Sequence, residues 1–302
     1  MRGPDRHRVG RHRSAAGRRP PAGDALPGAR SRRELVLRLR ITALLLLPLA
    51  IGVSIPPREV PGEGRYAGPP GDWHQVFAEE FEGPALDPAI WHPNRYGGGD
   101  GDAPFNPPLE NAWFSPENVT VDDGRLVITT SPEPRTFDDH RYEYSSGVVQ
   151  TTPDVALRPV QYIEARIRFP RCEGCWPAFW LHPLDRWPPE IDVAEFLESG
   201  SESRPSFNYI SPEEKKTGPD MYGDPDVDYR EEFHTYGVLW DGARAVPYLD
   251  GVPFDAVAAQ DVTGLPMMII VNLSVRRGFR PPSGTQLLVD WVRVWEPTVT
   301  SG

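Results

Sequence analysis

A chain of 302 residues with 36 prolines, 28 glycines and a net charge of −11 is long enough for one large domain or two small ones. Its charge is divided: residues 1–40 hold twelve arginines against Asp5, Asp24 and Glu34, a net of +9, which leaves −20 for the remainder. A body that acidic repels phosphate backbones, so nucleic acid is excluded as the expected partner; anionic substrates are disfavoured too, although a cleft can differ from the whole.

The Arg-rich start leads into "ITALLLLPLAIGVSI", Ile41–Ile55, an uncharged and mostly apolar run of 15 residues. A basic segment before a short apolar one has the order of a secretory signal, with small residues at Gly52 and Ser54 for cleavage. With Pro48 inside, the run is shorter than the ~20 residues of a membrane span. An uncleaved anchor with its arginines inside is the alternative, and membrane contact is expected through this segment alone. The residues ahead of Leu35 are long for the basic part of a signal, which puts the expected translation start near Leu35. Residues 1–55 are therefore set apart from the folded domain. Residues 56–72, rich in Pro and Gly, read as a linker. All nine tryptophans fall between Trp73 and Trp295, so the folded domain is expected over 73–297, with 298–302 as a tail.

Within that domain strand patterns dominate. The stretch 97–108, "GGGDGDAPFNPP", reads as a long loop of the kind that shapes binding sites on rigid sandwiches. "DDGRLVITT" places an Asp-Gly turn before an apolar run, and "VPYLDGVPF" signals a hairpin at Asp250-Gly251. "YIEARIRF" alternates, with Ile163, Ala165, Ile167 and Phe169 on one face and Glu164, Arg166 and Arg168 on the other. "PMMIIVNLSV" reads as a strand buried on both faces, and "LLVDWVRVW" as a closing strand. Short strands punctuated by Pro and Gly predict an all-β, two-sheet sandwich.

The two cysteines, Cys172 and Cys175, cannot by themselves build a tetrahedral zinc site, and in an exported chain they predict a small disulfide that tightens a turn. After them comes "CWPAFWL", where Trp176, Ala178 and Trp180 share one face and Pro177, Phe179 and Leu181 the other. One apolar face can enter a core. The other is either core as well or an aromatic floor for a ligand with apolar C–H faces, such as a sugar ring.

"WPPEIDVAEFLES" follows, with Glu190, Asp192 and Glu195 inside six positions. At this acid content the spacing arises by chance about once in such a chain, so its context carries the argument. The eight residues His182–Pro189 suit a connection between antiparallel neighbours, which sets the acids beside the indoles. On a regular strand residues 190 and 192 share a face and 195 opposes them; all three meet in one cleft only if a β-bulge absorbs a residue between Asp192 and Glu195. Two carboxyls brought to ~5–5.5 Å suit retaining cleavage of a glycosidic bond. An acid held between them makes the pair inequivalent.

With those residues in view, the chain resembles family 16 of the glycoside hydrolases over residues 73–296. "EIDVAE" is similar to that family's bulged E-x-D-x-x-E form, "CWPAFWL" to its W-P-A-F-W-L strand, and "VFAEEFEGPALDPAIW", "ENVTVDDGRLVITT", "EEFHTYGVLWD" and "VDWVRVW" to further segments in the same order. The resemblance implies a concanavalin A-like β-jelly roll with a concave cleft and retaining hydrolysis of β-linked polysaccharide, above all β-1,3- or mixed-linkage glucan. It makes Glu190 the nucleophile, Glu195 the general acid/base and Asp192 the assisting acid. Trp176, Trp180 and Trp187 become stacking candidates, and Asn94 and Arg95 hydrogen-bonding candidates at the cleft rim. No cofactor is required. Some members hold a structural calcium, which points to Glu80 and Asp290. A monomer is expected.

Departures from the pattern are Pro189 where laminarinases commonly have Gly, and "FNY" (Phe207–Tyr209) where they often carry His. These leave room for an agarase-like galactan hydrolase or a transglycosylase; a non-catalytic sugar-binding sandwich is the reading from another class. His234 is expected to be a packed or surface side chain, and the Asn118 and Asn272 glycosylation patterns to be incidental.

Overall fold

The computed structural model describes residues 68–95, 102–137, 139–197, 203–262 and 264–298. The signal-like segment, residues 56–67 of the expected linker and the whole 97–101 glycine run lie outside these residues. Two large sheets carry the fold. The first runs, edge to edge, through Lys216–Thr217, Ser206–Ile210, Glu190–Glu195, Cys175–Pro183, Met267–Val275, Val148–Thr151 and Trp91–His92. The second is centred on Gln161–Arg168 and Gln286–Pro297, with His234–Trp240 and Arg244–Leu249 to one side and Leu126–Thr129 and Val119–Val121 to the other. Trp73–Glu79 pairs along Gln286–Pro297, as an opening strand laid on the closing one.

Alternation explains what lies between the sheets. Ile163, Ala165, Ile167 and Phe169 enter one core with Phe179, Leu181, Ile191, Ile269, Val271 and Leu273 from the facing sheet. Met267–Val275 is buried at every position, Asn272 and Ser274 included, as its largely apolar run predicts for a central strand. Both Asp-Gly turns form as expected: Asp123 and Gly124 (φ 49° and 64°) close Val119–Val121 onto Leu126–Thr129, and Asp250 and Gly251 (φ 50° and 79°) join Leu249 to Val252. Left-handed backbone at two successive residues matches the strand twist, and Asp-Gly tolerates it well.

A third, three-stranded sheet of Ala112–Phe114, His140–Ser146 and Ser131–Phe137 has no counterpart in the sequence reading. Its Phe114 packs with Phe105 onto Val148, Ala178, Trp180 and Ile270, covering part of the cleft-side face of the first sheet. Cys172 and Cys175 are joined in a disulfide that closes the turn before the tryptophan strand. Gly174 inside that turn has φ 77°, and a Cβ there would sit 2.0 Å from Phe279 Cβ, so only glycine lets the turn approach.

Candidate active site

The tryptophan strand Cys175–Pro183 and the acid strand Glu190–Glu195 are antiparallel neighbours. Ala178 faces Glu195, Phe179 faces Ala194, Trp180 faces Asp192 and Leu181 faces Ile191, which leaves Val193 without an opposite residue. The same slip separates Asp192 and Glu195 in the pairing with Ser206–Ile210. Val193 is the extra residue of the bulge. It and Ala194 both turn into the core with Ile191 and Phe196. Opposed residues share a face, so Glu190, Asp192 and Glu195 lie together with Trp176, Ala178 and Trp180.

Two indoles hold the outer acids. Trp187 Nε1 donates to Glu190 Oε2 at 2.7 Å, and Trp176 Nε1 donates to Glu195 Oε1 at 2.6 Å. Asn208, opposite Asp192, donates from Nδ2 to Glu195 Oε2 at 3.2 Å and also hydrogen-bonds Asp192. Glu190 and Asp192 share a hydrogen bond that favours the charged form of Glu190 and the neutral form of Asp192.

Burial sets the acidity of the group. It raises Glu190 to about 7, against the hydrogen bonds from Asp192 and Trp187 that favour the carboxylate. Burial, and then the charge of Asp192, raises Glu195 to about 8. Asp192 is raised well above the usual carboxylate range by burial and by the charge of Glu190. The order is chemically useful: Glu190 loses its proton first, while Glu195 keeps one to give.

Several sequence expectations need correction. Trp180 is only 7% exposed; its Nε1 donates to Asn272 Oδ1 at 2.8 Å and its ring meets Phe105 edge to face at 4.9 Å, so it supports the floor rather than offering a stacking surface. Asn94 and Arg95 turn inward as well. Asn94 Nδ2 donates to Asp102 Oδ1, Arg95 Nη1 donates to the carbonyls of Ala103 and Pro104, and the guanidinium lies over Phe105. The two residues hold the 102–105 loop that caps Trp180. Trp187, 55% exposed, and the half-buried Trp176 keep open ring surface in the cleft.

Glu80 and Asp290, the residues expected at a calcium, each meet an arginine. Glu80 takes a two-pronged ion pair from Arg293 at 2.8 and 3.0 Å, while Asp290 accepts from Arg166 Nη1 at 2.8 Å. No group of three or more metal-binding side chains occurs among the described residues. His234 pairs with Asp250 at 2.7 Å and packs on Tyr229. Asn118 and Asn272 are buried, and each has a side-chain hydrogen bond inside the protein, which rules out glycan attachment at either in the folded domain.

The sequence reading missed Asn208, Lys216 and the indole N–H bonds. The first two stand on neighbouring strands whose register cannot be read in advance; the third depends on ring orientation.

A β-sandwich with carboxyl groups on an aromatic-walled face has the architecture of a polysaccharide-cleaving enzyme. The comparisons with known proteins make the assignment: residues 110–293 match the model of glycosyl hydrolases family 16, and the chain belongs to that family. It is 28% identical over 241 residues to the endo-1,3-1,4-beta-glycanase EglC of Rhizobium meliloti, covering 73% of this chain and 51% of that protein. It is also 28% identical over 262 residues to glucan endo-1,3-beta-glucosidase A1 of Niallia circulans, covering 73% and 37% respectively. The chain thus spans about half, or less, of the length of these relatives. Among solved structures, the endo-beta-1,3-glucanase of Pyrococcus furiosus superposes with a TM-score of 0.61 at 26% identity, over 76% of this chain and 96% of that one.

Proposed function

We propose that the protein is an exported, retaining endo-acting hydrolase of β-1,3- or mixed-linkage β-glucan. The observation that carries this reading is the bulge at Val193, which brings three acids to one face beside two indoles that each hold a carboxyl. The relatives named as endo-1,3-1,4-beta-glycanase and glucan endo-1,3-beta-glucosidase support the substrate class. The Cys172–Cys175 disulfide suits an oxidising compartment and supports export.

In this mechanism Glu190, ionised and steadied by the Trp187 N–H and its hydrogen bond with Asp192, attacks the anomeric carbon. Glu195 gives its proton to the departing glycosidic oxygen. The ester to Glu190 is then cleaved by water that Glu195, now a carboxylate, deprotonates, and both acids return to their starting states. Trp176 and Trp187 offer ring surface to the sugars on either side of the bond.

The test is Glu190→Gln, which keeps shape and hydrogen bonds but removes the nucleophile. Release of reducing ends from laminarin and lichenan is expected to fall by roughly 10⁴-fold or more, with an unchanged circular dichroism spectrum. Near-normal turnover by the folded variant overturns the assignment. Agarose and carrageenan in the same panel separate glucan from galactan specificity.

A further inference from the structure

Thirty of the chain's 32 basic residues are arginine, and its two lysines are adjacent, Lys215 and Lys216. Lys216 lies on the two-residue edge strand Lys216–Thr217 of the cleft sheet. It opposes Ile210, which opposes Glu190. Opposed residues point the same way, so Lys216, Ile210 and Glu190 form one row across the cleft face, with Lys216 two strands, roughly 10 Å, from the nucleophile backbone. Lys215 lies outside that strand, in the turn that joins it to Ser206–Ile210. Lys216 is exposed, and its ammonium makes no ion pair among the described residues.

Lys216 does not serve simply to neutralise the catalytic acids. Its charge reaches Glu190, Asp192 and Glu195, yet burial prevails and all three stay protonated to higher pH than ordinary carboxyls. No carboxylate bonds the lysine directly among the described residues, and it stands as an exposed cation beside the path of a polysaccharide crossing the strands. Hydroxyl recognition needs only neutral donors. A lone ammonium on a flexible stem, on an otherwise acidic protein, fits an anion whose position varies.

We propose that Lys216 is a specificity-determining residue of the cleft, which receives an acidic substituent, carboxylate or sulfate, on the sugar bound over the Ser206–Ile210 and Lys216–Thr217 strands. The proposal rests on the polysaccharide-hydrolase reading and refines its substrate class to acid-substituted β-glucan. It also reverses locally what the net charge of the whole chain suggests.

The experiment compares neutral, carboxymethylated and sulfated laminarin, at matched chain length and low ionic strength, for the full chain and for Lys216→Met, Lys216→Arg and Lys215→Met. An exposed charge pair supports a roughly two- to fivefold effect. The expected result is a fall of that size in the ratio of kcat/KM on an acidic glucan to that on neutral laminarin for Lys216→Met. Lys216→Arg should restore most of the ratio, Lys215→Met should leave it unchanged, and the difference should fade as salt approaches 1 M, where the screening length is ~3 Å. The two acidic glucans read separately tell carboxylate from sulfate. An unchanged ratio in Lys216→Met, or an equal loss in Lys215→Met, overturns the proposal. Affinities of the same glucans for Glu190→Gln and Glu190→Gln/Lys216→Met give the comparison without turnover, so a failure to hydrolyse laminarin counts against the enzyme reading alone.

Discussion

At the residue scale, the active site is governed by how two glutamates of the same strand are made different. Both are buried, and burial alone raises both. An indole N–H reaches each of them; what separates them is Asp192, whose hydrogen bond favours the carboxylate of Glu190 and which, as a neighbouring acid, works against ionisation of Glu195. The activity profile should therefore be bell-shaped, rising as Glu190 ionises near 7 and falling as Glu195 loses its proton near 8. The Trp187 contribution can be isolated. Trp187→Phe keeps an aromatic ring but removes the N–H that steadies the Glu190 carboxylate, so the acid limb should move up by roughly half to one pH unit. Trp187→Ala should add a rise in KM if the exposed ring carries a sugar. A pH series of kcat/KM for the two variants checks both statements; an unmoved acid limb in Trp187→Phe means the hydrogen bond does not tune the nucleophile.

At the element scale, the decisive feature is parity. The acid strand carries one residue more than its partners can match, and the surplus falls on Val193. Deleting Val193 leaves Glu190, Asp192 and Glu195 at even spacing, where an unbulged strand already keeps them on one face. The deletion variant is expected to retain measurable hydrolysis, well above Glu190→Gln, while losing about 1–3 kcal/mol of stability with the buried valine side chain. Reducing-end assays and urea unfolding check this. A folded but inactive deletion would mean that the local twist of the bulge, and not only the shared face, is required. The Asp-Gly hairpins and the alternation of Tyr162–Phe169 were legible in advance because each depends on neighbours in sequence. The three-stranded sheet was not, since its parallel pairing of Ala112–Phe114 with His140–Ser146 joins segments some thirty residues apart.

At the scale of the whole molecule, carboxyl groups inside the domain are held by burial and pairing. On the face of the second sheet away from the core, Glu164 is 1% exposed, accepting from Trp295 Nε1 at 3.1 Å and Tyr162 OH at 3.2 Å. Its alternation with Ile163 and Ala165 predicted an outward residue, but the aromatic cluster of Tyr162, Tyr248 and Trp295 closes over that face. Burial pushes the Glu164 carboxyl from an ordinary 4.5 up to about 7. A carboxyl that holds its proton more tightly when folded contributes fully below pH 4.5, and its contribution declines as pH rises to about 7 and then levels. Glu164→Gln removes that slope. The variant should match the parent near pH 4.5 and exceed it at pH 8 by about 1–3 kcal/mol, a few degrees in Tm. Melting curves at both pH values decide it, and because the catalytic acids titrate identically in both proteins the difference isolates Glu164.

The order of strand and turn signals, the disulfide spacing and the need for a bulge if three acids are to share one face are properties of the sequence by itself, because they follow from two-residue alternation and local turn chemistry; the roles of the three acids rest on the family resemblance. Tertiary structure alone decided that Trp180 is roofed by Phe105, that Asn94 and Arg95 anchor a loop, that Glu80 and Asp290 are held by arginines, and that Lys216 shares a row with Glu190. Each of these is a meeting of residues far apart in the chain. Sequence periodicity says which way a side chain points, but only packing says what it finds there.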